Sequence, residues 1–228
     1  MNTAAQSLIR DESTPARTRW IWTPFLPLCL IAAAAALRRI FALLGPASPS
    51  TSPTAALDAD FAARRALTLL HIVPALAFIL LLPAWFAHSV RRHPRAIAVI
   101  TRILLVLGAV IGLTAIPMSF HPVGGINESS ASLLYDSLFL FSLARGAWLF
   151  HQGCLQLHRT WMMRAIAVLL GIATTRPIVG VFFATQTITH LQPQQFFGTA
   201  FWLGFTVTYI AGEAYLRARG TDSVTSQL

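Results

Sequence analysis

The chain has 228 residues, of which 55% are hydrophobic and 11% charged, and its formal net charge is +9. A soluble domain averages about 25% charged residues, so this composition cannot cover a water-exposed surface, and the length suits one helical bundle. All 17 basic residues are Arg and they fall between apolar runs, which argues for a topogenic role and against nucleic-acid binding.

A helix that crosses a bilayer needs about 20 mostly apolar residues, because each adds about 1.5 Å. Six stretches meet or approach that length, near 20–44, 66–88, 96–118, 131–151, 165–188 and 196–216. They predict an all-α, polytopic transmembrane helix bundle of about six spans. The expected organisation is a cytoplasmic tail over 1–19, a single membrane domain over 20–218 and a disordered cytoplasmic tail over 219–228.

In chain order, Arg10, Arg17 and Arg19 precede the first stretch, which contains five consecutive Ala at 32–36. A basic start, an apolar core and small residues also describe a secretory signal. The lead is long and no A-x-A site precedes a polar start, so a retained helix is expected. The segment 45–59, GPASPSTSPTAALDA, is rich in Pro, Ser and Thr and reads as a linker. The second span carries His71 early in its length, and the connection SVRRHPR that follows it holds Arg91, Arg92 and Arg95. Arg102 lies in the third span, and Asp136 and Arg145 in the fourth. Asn127 opens an N-x-S pattern, which matters only in a glycosylating host. Arg159 and Arg164 fall between the fourth and fifth spans, and Arg176 with Pro177 inside the fifth. Glu213 closes the sixth span, followed by Arg217 and Arg219.

Sorted by side, ten Arg share the face of the two tails; Arg38, Arg39, Arg64 and Arg65 lie on the other face, and three lie within spans. Positive charge marks the cytoplasmic face, so both termini are predicted inside.

Ionisable groups inside a span are costly, so each is a functional candidate. An outer-leaflet cluster comprises His71, Asp136 and Arg176, with Asp136 the expected partner of Arg176. Pro177 breaks the hydrogen-bond ladder there and can free a carbonyl. The functional reading is a pocket for a quinone, haem or other anionic group; the structural reading is an ion pair that fixes helix packing. An inner-leaflet cluster comprises His88, Arg102, Arg145, His151, His158, Arg159, Trp161, Arg164 and Glu213, where Glu213 is expected to meet Arg102 or Arg145. Snorkelling Arg side chains and a Trp in the aromatic belt explain much of that cluster without a ligand.

A bis-His haem b needs two imidazoles at one depth on facing helices. His88 and His151 satisfy the depth rule on the inner side, His151 and His158 are seven residues apart, and His71 could meet His121 or His190. No CxxCH motif exists, which excludes c-type attachment, and no Cys/His zinc spacing occurs. Cys29 and Cys154 are expected on opposite sides, so no disulfide joins them. The chain has no GxxxxGK[ST], GxGxxG, HExxH or GxSxG motif.

The segment LHRTWMMRAIAVLLGIATTR, residues 157–176, resembles the signature of a bacterial membrane family known as "domain of unknown function 2306". That signature is an HRxWMxR block that opens a span, then an Arg about a dozen residues on. It maps here onto His158, Arg159, Trp161, Met162, Arg164 and Arg176. The segment LLHIVPALAFILLLP, with His71, resembles the family's opening span, and AGEAYL, with Glu213, its last. One departure concerns a second His-Arg pair: Ile97 and Ala98 stand where it would be, while Arg102 is kept and His93 is the available substitute. The resemblance implies architecture more than activity.

The leading expectation is a small membrane redox or respiratory component that binds haem b or quinone through His71, Asp136 and Arg176. A small-solute or lipid transporter and a non-catalytic membrane assembly protein are the alternatives. The partners expected are the lipid bilayer, a second copy of the chain or a membrane complex, and no nucleic acid.

Overall fold

A computed structural model describes the backbone of residues 15–45 and 55–225, and the side chains of residues 25–45 and 57–218. The start of the expected cytoplasmic tail, most of the expected linker and the last three residues lie outside the described residues.

The helices are α1 Pro15–Leu44, α2 Ala55–Ala63, α3 Arg65–Phe86, α4 His88–Arg91, α5 Pro94–Ser119, α6 Gly125–His151, α7 Leu155–Ala184, α8 Gln186–Thr189 and α9 Pro193–Thr225. Among the described residues there is no strand. Five stretches are long and apolar enough to cross a membrane: Phe25–Leu44 of α1, and α3, α5, α6 and α7. The chain is therefore a multi-pass membrane protein, an all-α bundle. The last expected span lies in α9, which is 33 residues long but is diluted by Gln, Thr, Gly and Glu213 and is not among the five.

Local sequence sets the breaks. Pro94 sits in the first turn of α5, where its missing N–H costs nothing. Gly153 has φ 74°, a conformation suited to glycine, and turns the chain sharply after α6. Because that turn is so short, α7 begins at Leu155, well before the expected 165, and the HRTWMMR block is helix rather than connection. A short helix, α2, occupies the end of the expected linker, and α9 continues through Thr225, past where a tail is expected.

Contacts define a closed ring. α1 packs on α3, α3 on α5, α5 on α6, α6 on α7, and α7 returns to α1. Phe78, Leu104, Met162 and Val168 are among the side chains buried in its interior. α9 lies outside the ring, against α7 and α6. Leu70, Val106, Leu113, Val181 and Val207 are exposed, as a lipid-facing surface requires.

Small residues make the α7–α9 seam. Ala200, Gly204, Thr208 and Gly212 recur every fourth position on α9. A Cβ at Gly204 would sit 2.7 Å from the backbone nitrogen of Thr175, and one at Gly212 would sit 2.6 Å from Ala167 Cβ. Opposite them, Gly171 of α7 receives the Phe205 ring. In lipid, where tails are as apolar as Leu, such close backbone approach is a main source of helix association.

The helices alternate in direction, which gives two distinct ends. The tail end gathers the start of α1, the end of α3, the start of α5, the end of α6, the start of α7 and the end of α9. Phe25 meets Phe86 there, Trp85 Nε1–H donates to Thr101 at 3.1 Å, and Arg164 meets Glu213. The α2 end gathers the opposite termini. There Ser129 of α6 donates to the Ser119 carbonyl of α5 at 2.7 Å, and Asn127 faces Gly198 of α9.

Candidate functional site

At the tail end the polar residues are largely engaged by one another. Arg164 Nε donates to Glu213 Oε1 at 2.6 Å, and Nη2 donates to Oε2 at 3.3 Å. Neither Arg102 nor Arg145, the expected partners, takes this role. Arg102 is on α5, which does not pack against α9, and it is exposed. Arg145 lies over the Trp148 ring at 4.6 Å and more distantly over Trp161 at 5.9 Å. Arg164 covers Trp161 at 4.6 Å, and Phe141 meets that ring edge-on at 5.5 Å. These contacts tie α6, α7 and α9 together through aromatic faces and guanidinium planes.

His158 belongs to the same joint. It is 3% exposed, and its Nδ1–H donates to the Gly146 carbonyl of α6 at 2.8 Å. Its Nε2 has no hydrogen-bond partner and is sealed in the core, with the Phe150 ring 5.1 Å away. One turn on, Met162 is fully buried against Gly146. Arg159, beside His158, is half-buried and its charge acts on that imidazole. His88 and His151 are both exposed, and His88 Nε2 accepts from Arg92 Nε at 3.1 Å. His158 Nε2 is thus enclosed by core and His88 Nε2 is taken by Arg92, while His93 is exposed and bonded to the Ser89 carbonyl through Nδ1.

The α2 end is different. The half-buried His71 docks on one turn of α5: its Nδ1 lies 3.1 Å from the Ile111 carbonyl and 3.0 Å from Thr114 Oγ1. The Thr114 hydroxyl donates to the Val110 carbonyl at 2.6 Å, so Nδ1 carries the proton toward Ile111 and Nε2 is left as a lone pair. Asp136 approaches the same turn of α5 from α6, with Oδ1 3.4 Å from where a Cβ on Gly112 would lie. His71 and Asp136 thus share a level, with α5 between them. Asp136 has no hydrogen-bonded or ion-paired partner among the described residues.

Arg176 does not pair with Asp136. The charges acting on it are those of Arg39 and Arg38 of α1, which repel it, and Glu128 of α6, which attracts it. Its expected carboxylate is one helix pair away because α7 presents Arg176 toward α1, and Asp136 faces α5. Arg38 and Arg39 both bind Asp58 of α2, Arg38 at 3.2 Å, and the Arg39 guanidinium lies 4.1 Å over the Phe61 ring. Glu128 already accepts the Gly124 backbone N–H. Arg176 makes no hydrogen bond or ion pair among the described residues. Arg176 is exposed on the surface of α7.

Arg38, Arg39, Asp58 and Glu128 are site residues that the sequence reading leaves in loops or unremarked. The signal available is position: Arg38 and Arg39 fall six and five residues before the end of α1, inside the apolar stretch. His121 and His190 are exposed near this end, and His121 Nδ1 bonds the Pro117 carbonyl at 3.1 Å. Among the described residues no group of three His, Cys, Asp or Glu side chains is arranged to hold a metal ion. Cys29 is buried in α1 and Cys154 is exposed beside the α6–α7 turn, both as free thiols.

No protein-family model matches the chain, and no curated protein or solved structure matches it either.

Proposed function

We propose that this chain is a bacterial inner-membrane protein, with both termini cytoplasmic, that binds a quinone-type head group at its α2 end. The observation that carries the reading is the arrangement of His71. Its Nδ1 is pinned by the Ile111 carbonyl, so Nε2 is fixed in tautomer and direction as an acceptor for a quinol hydroxyl. Leu70, Val73 and Leu113 flank the α3–α5 seam on the lipid side, at 56%, 48% and 63% exposure, and offer an apolar path for an isoprenoid tail. Only binding is proposed.

Haem b is the weaker form of the same reading. His71 and His158, the two histidines bonded to carbonyls of a neighbouring helix, lie at opposite ends of the bundle, so that pair does not suit a bis-His haem.

Solvent extraction of the purified protein followed by chromatography should recover about one quinone per chain, on the scale of a single specific site. His71→Ala should lose it, and His71→Gln should keep part of it. Wild-type protein without quinone, or a His71→Ala variant that keeps it all, overturns the reading. A Soret band that sharpens on dithionite reduction would replace it with haem. The cytoplasmic termini are supported by the Arg excess at the tail end; a fluorescent C-terminal fusion and an inactive periplasmic-reporter fusion are the expected results.

A transporter is the second reading, favoured by Pro177, which interrupts α7 directly after Arg176. Substrate-dependent uptake into sealed vesicles tests it. Membership of the family with the HRxWMxR block stays a proposal. It is supported by the contacts that His158, Trp161, Met162 and Arg164 all make at the tail end.

A further inference from the structure

The α2 end is cationic in a way that its own acids do not balance. Arg38, Arg39, Arg64, Arg65 and Arg176 gather there against Asp58, Asp60, Glu128 and Asp136, of which Asp136 faces α5 and is not among the charges that act on Arg176, and residues 46–54 add no charge. Asp60 is occupied by Arg64 at 3.1 Å, and Asp58 is shared between Arg38 and Arg39. That leaves Arg176 with Glu128, whose carboxylate is already bonded to the Gly124 N–H. Arg176 sits eight residues before the end of α7, about 12 Å along the helix, and Arg38 sits six before the end of α1, about 9 Å. Both therefore lie in the last third of their spans, toward the α2 end. The Arg38 side chain is 51% exposed, and Arg176 is exposed as well.

An unpaired guanidinium inside a span is costly, and three guanidinium groups drawn together repel one another. Planar guanidinium forks match the oxygens of a phosphate two at a time, which relieves both costs at once. We propose that Arg176 and Arg38, held in place by the Arg39–Asp58 contact, form a binding site for a phosphate group at the α2 end. The group comes from an anionic phospholipid of that leaflet or from a soluble phosphate. Asp58 acts as the positioning residue: it fixes the two α1 guanidinium groups and leaves Arg176 to the ligand. The site is separate from His71 and does not depend on the quinone reading.

The test uses the full chain, delipidated in an uncharged detergent. Thermal stability is followed during titration with phosphatidylglycerol, with phosphatidylcholine as control, and in a second arm with inorganic phosphate. Phosphatidylglycerol should bind and stabilise the wild type, and phosphatidylcholine should do neither. A response in both arms identifies a general phosphate site; a response to the lipid alone identifies a head-group site. Arg176→Gln should weaken binding about tenfold or more, as expected for loss of a charge-assisted pair. Arg38→Gln, at a half-exposed position, is the variant that tests the site if Arg176→Gln does not fold. Arg102→Gln, exposed at the opposite end, should bind as the wild type does. No selective response in either arm overturns the proposal, as does an equal loss in Arg102→Gln and Arg176→Gln.

Discussion

The two ends of the bundle hold the same kinds of residue and treat them oppositely. At the tail end Arg164 meets Glu213, Arg145 and Arg164 lie over Trp rings, and Trp85 bonds Thr101. At the α2 end Arg176 and Asp136 make no ion pair among the described residues, and His71 presents Nε2 unbonded. Polar groups in a bilayer are costly unless partnered, so partnered groups hold helices together and unpartnered ones retain binding free energy for a ligand. His158 qualifies the contrast. Its Nε2 is unpartnered at the tail end, but it is sealed in packed core, and its Nδ1 bond to Gly146 makes it an anchor.

The largest effect expected comes from breaking the frame that both ends share. Gly204→Leu would drive a side chain into the Thr175 backbone, where even a Cβ would lie 2.7 Å from the nitrogen. Overpacking of this kind costs about 1–3 kcal/mol, and α9 should separate from α7. Thermal denaturation and gel filtration in detergent should show a lower midpoint and a broadened peak. Wild-type behaviour would mean that α9 does not seat on α7, and the tail-end joint would lose its third helix.

Glu213→Ala should act on one end only. It leaves the Arg164 guanidinium without its carboxylate. The two side chains are 26% and 20% exposed, so about 1–2 kcal/mol is expected rather than the 3–5 of a fully buried pair. Quinone content and phosphatidylglycerol affinity should stay at wild-type values. A parallel fall in either would show that the ends are coupled and that the division between joint and site is wrong.

Much of the fold is legible in the sequence because hydropathy alone separates the spans: α3 and α5 start within two residues of the expected positions, and α6 starts six residues early. The α7 start is not, because a three-residue connection with Gly153 at positive φ leaves Arg159 and Arg164 inside a helix that their charge argues against. Depth is legible too: His71 and Asp136 meet the same turn of α5. Rotation is not. Seen as a list of depths, Arg176 belongs with Asp136, and Glu213 with Arg102 or Arg145. The ring order places α1 beside α7 and keeps α5 away from α9, which reassigns both partnerships. The small-residue stripe from Ala200 to Gly212 is the one unused sequence signal that would have placed α9 against a neighbour.

The smallest effect expected is also the sharpest probe of the contrast, because its sign differs between the two ends. Asp136→Asn keeps the shape of the side chain beside Gly112 and removes a carboxylate that has no hydrogen-bonded partner. At a structural joint, neutralising a carboxylate leaves a cation uncompensated and lowers stability. At an unpartnered position it relieves desolvation instead, so stability should rise by about 0.5–1 kcal/mol. Chemical denaturation of the detergent-solubilised protein resolves a change of that size when the midpoints of the two proteins are compared side by side. A rise places Asp136 with Arg176 among the groups left available to a ligand. A fall would give Asp136 a partner in the folded protein and would move it, with its level of the bundle, to the structural side of the comparison.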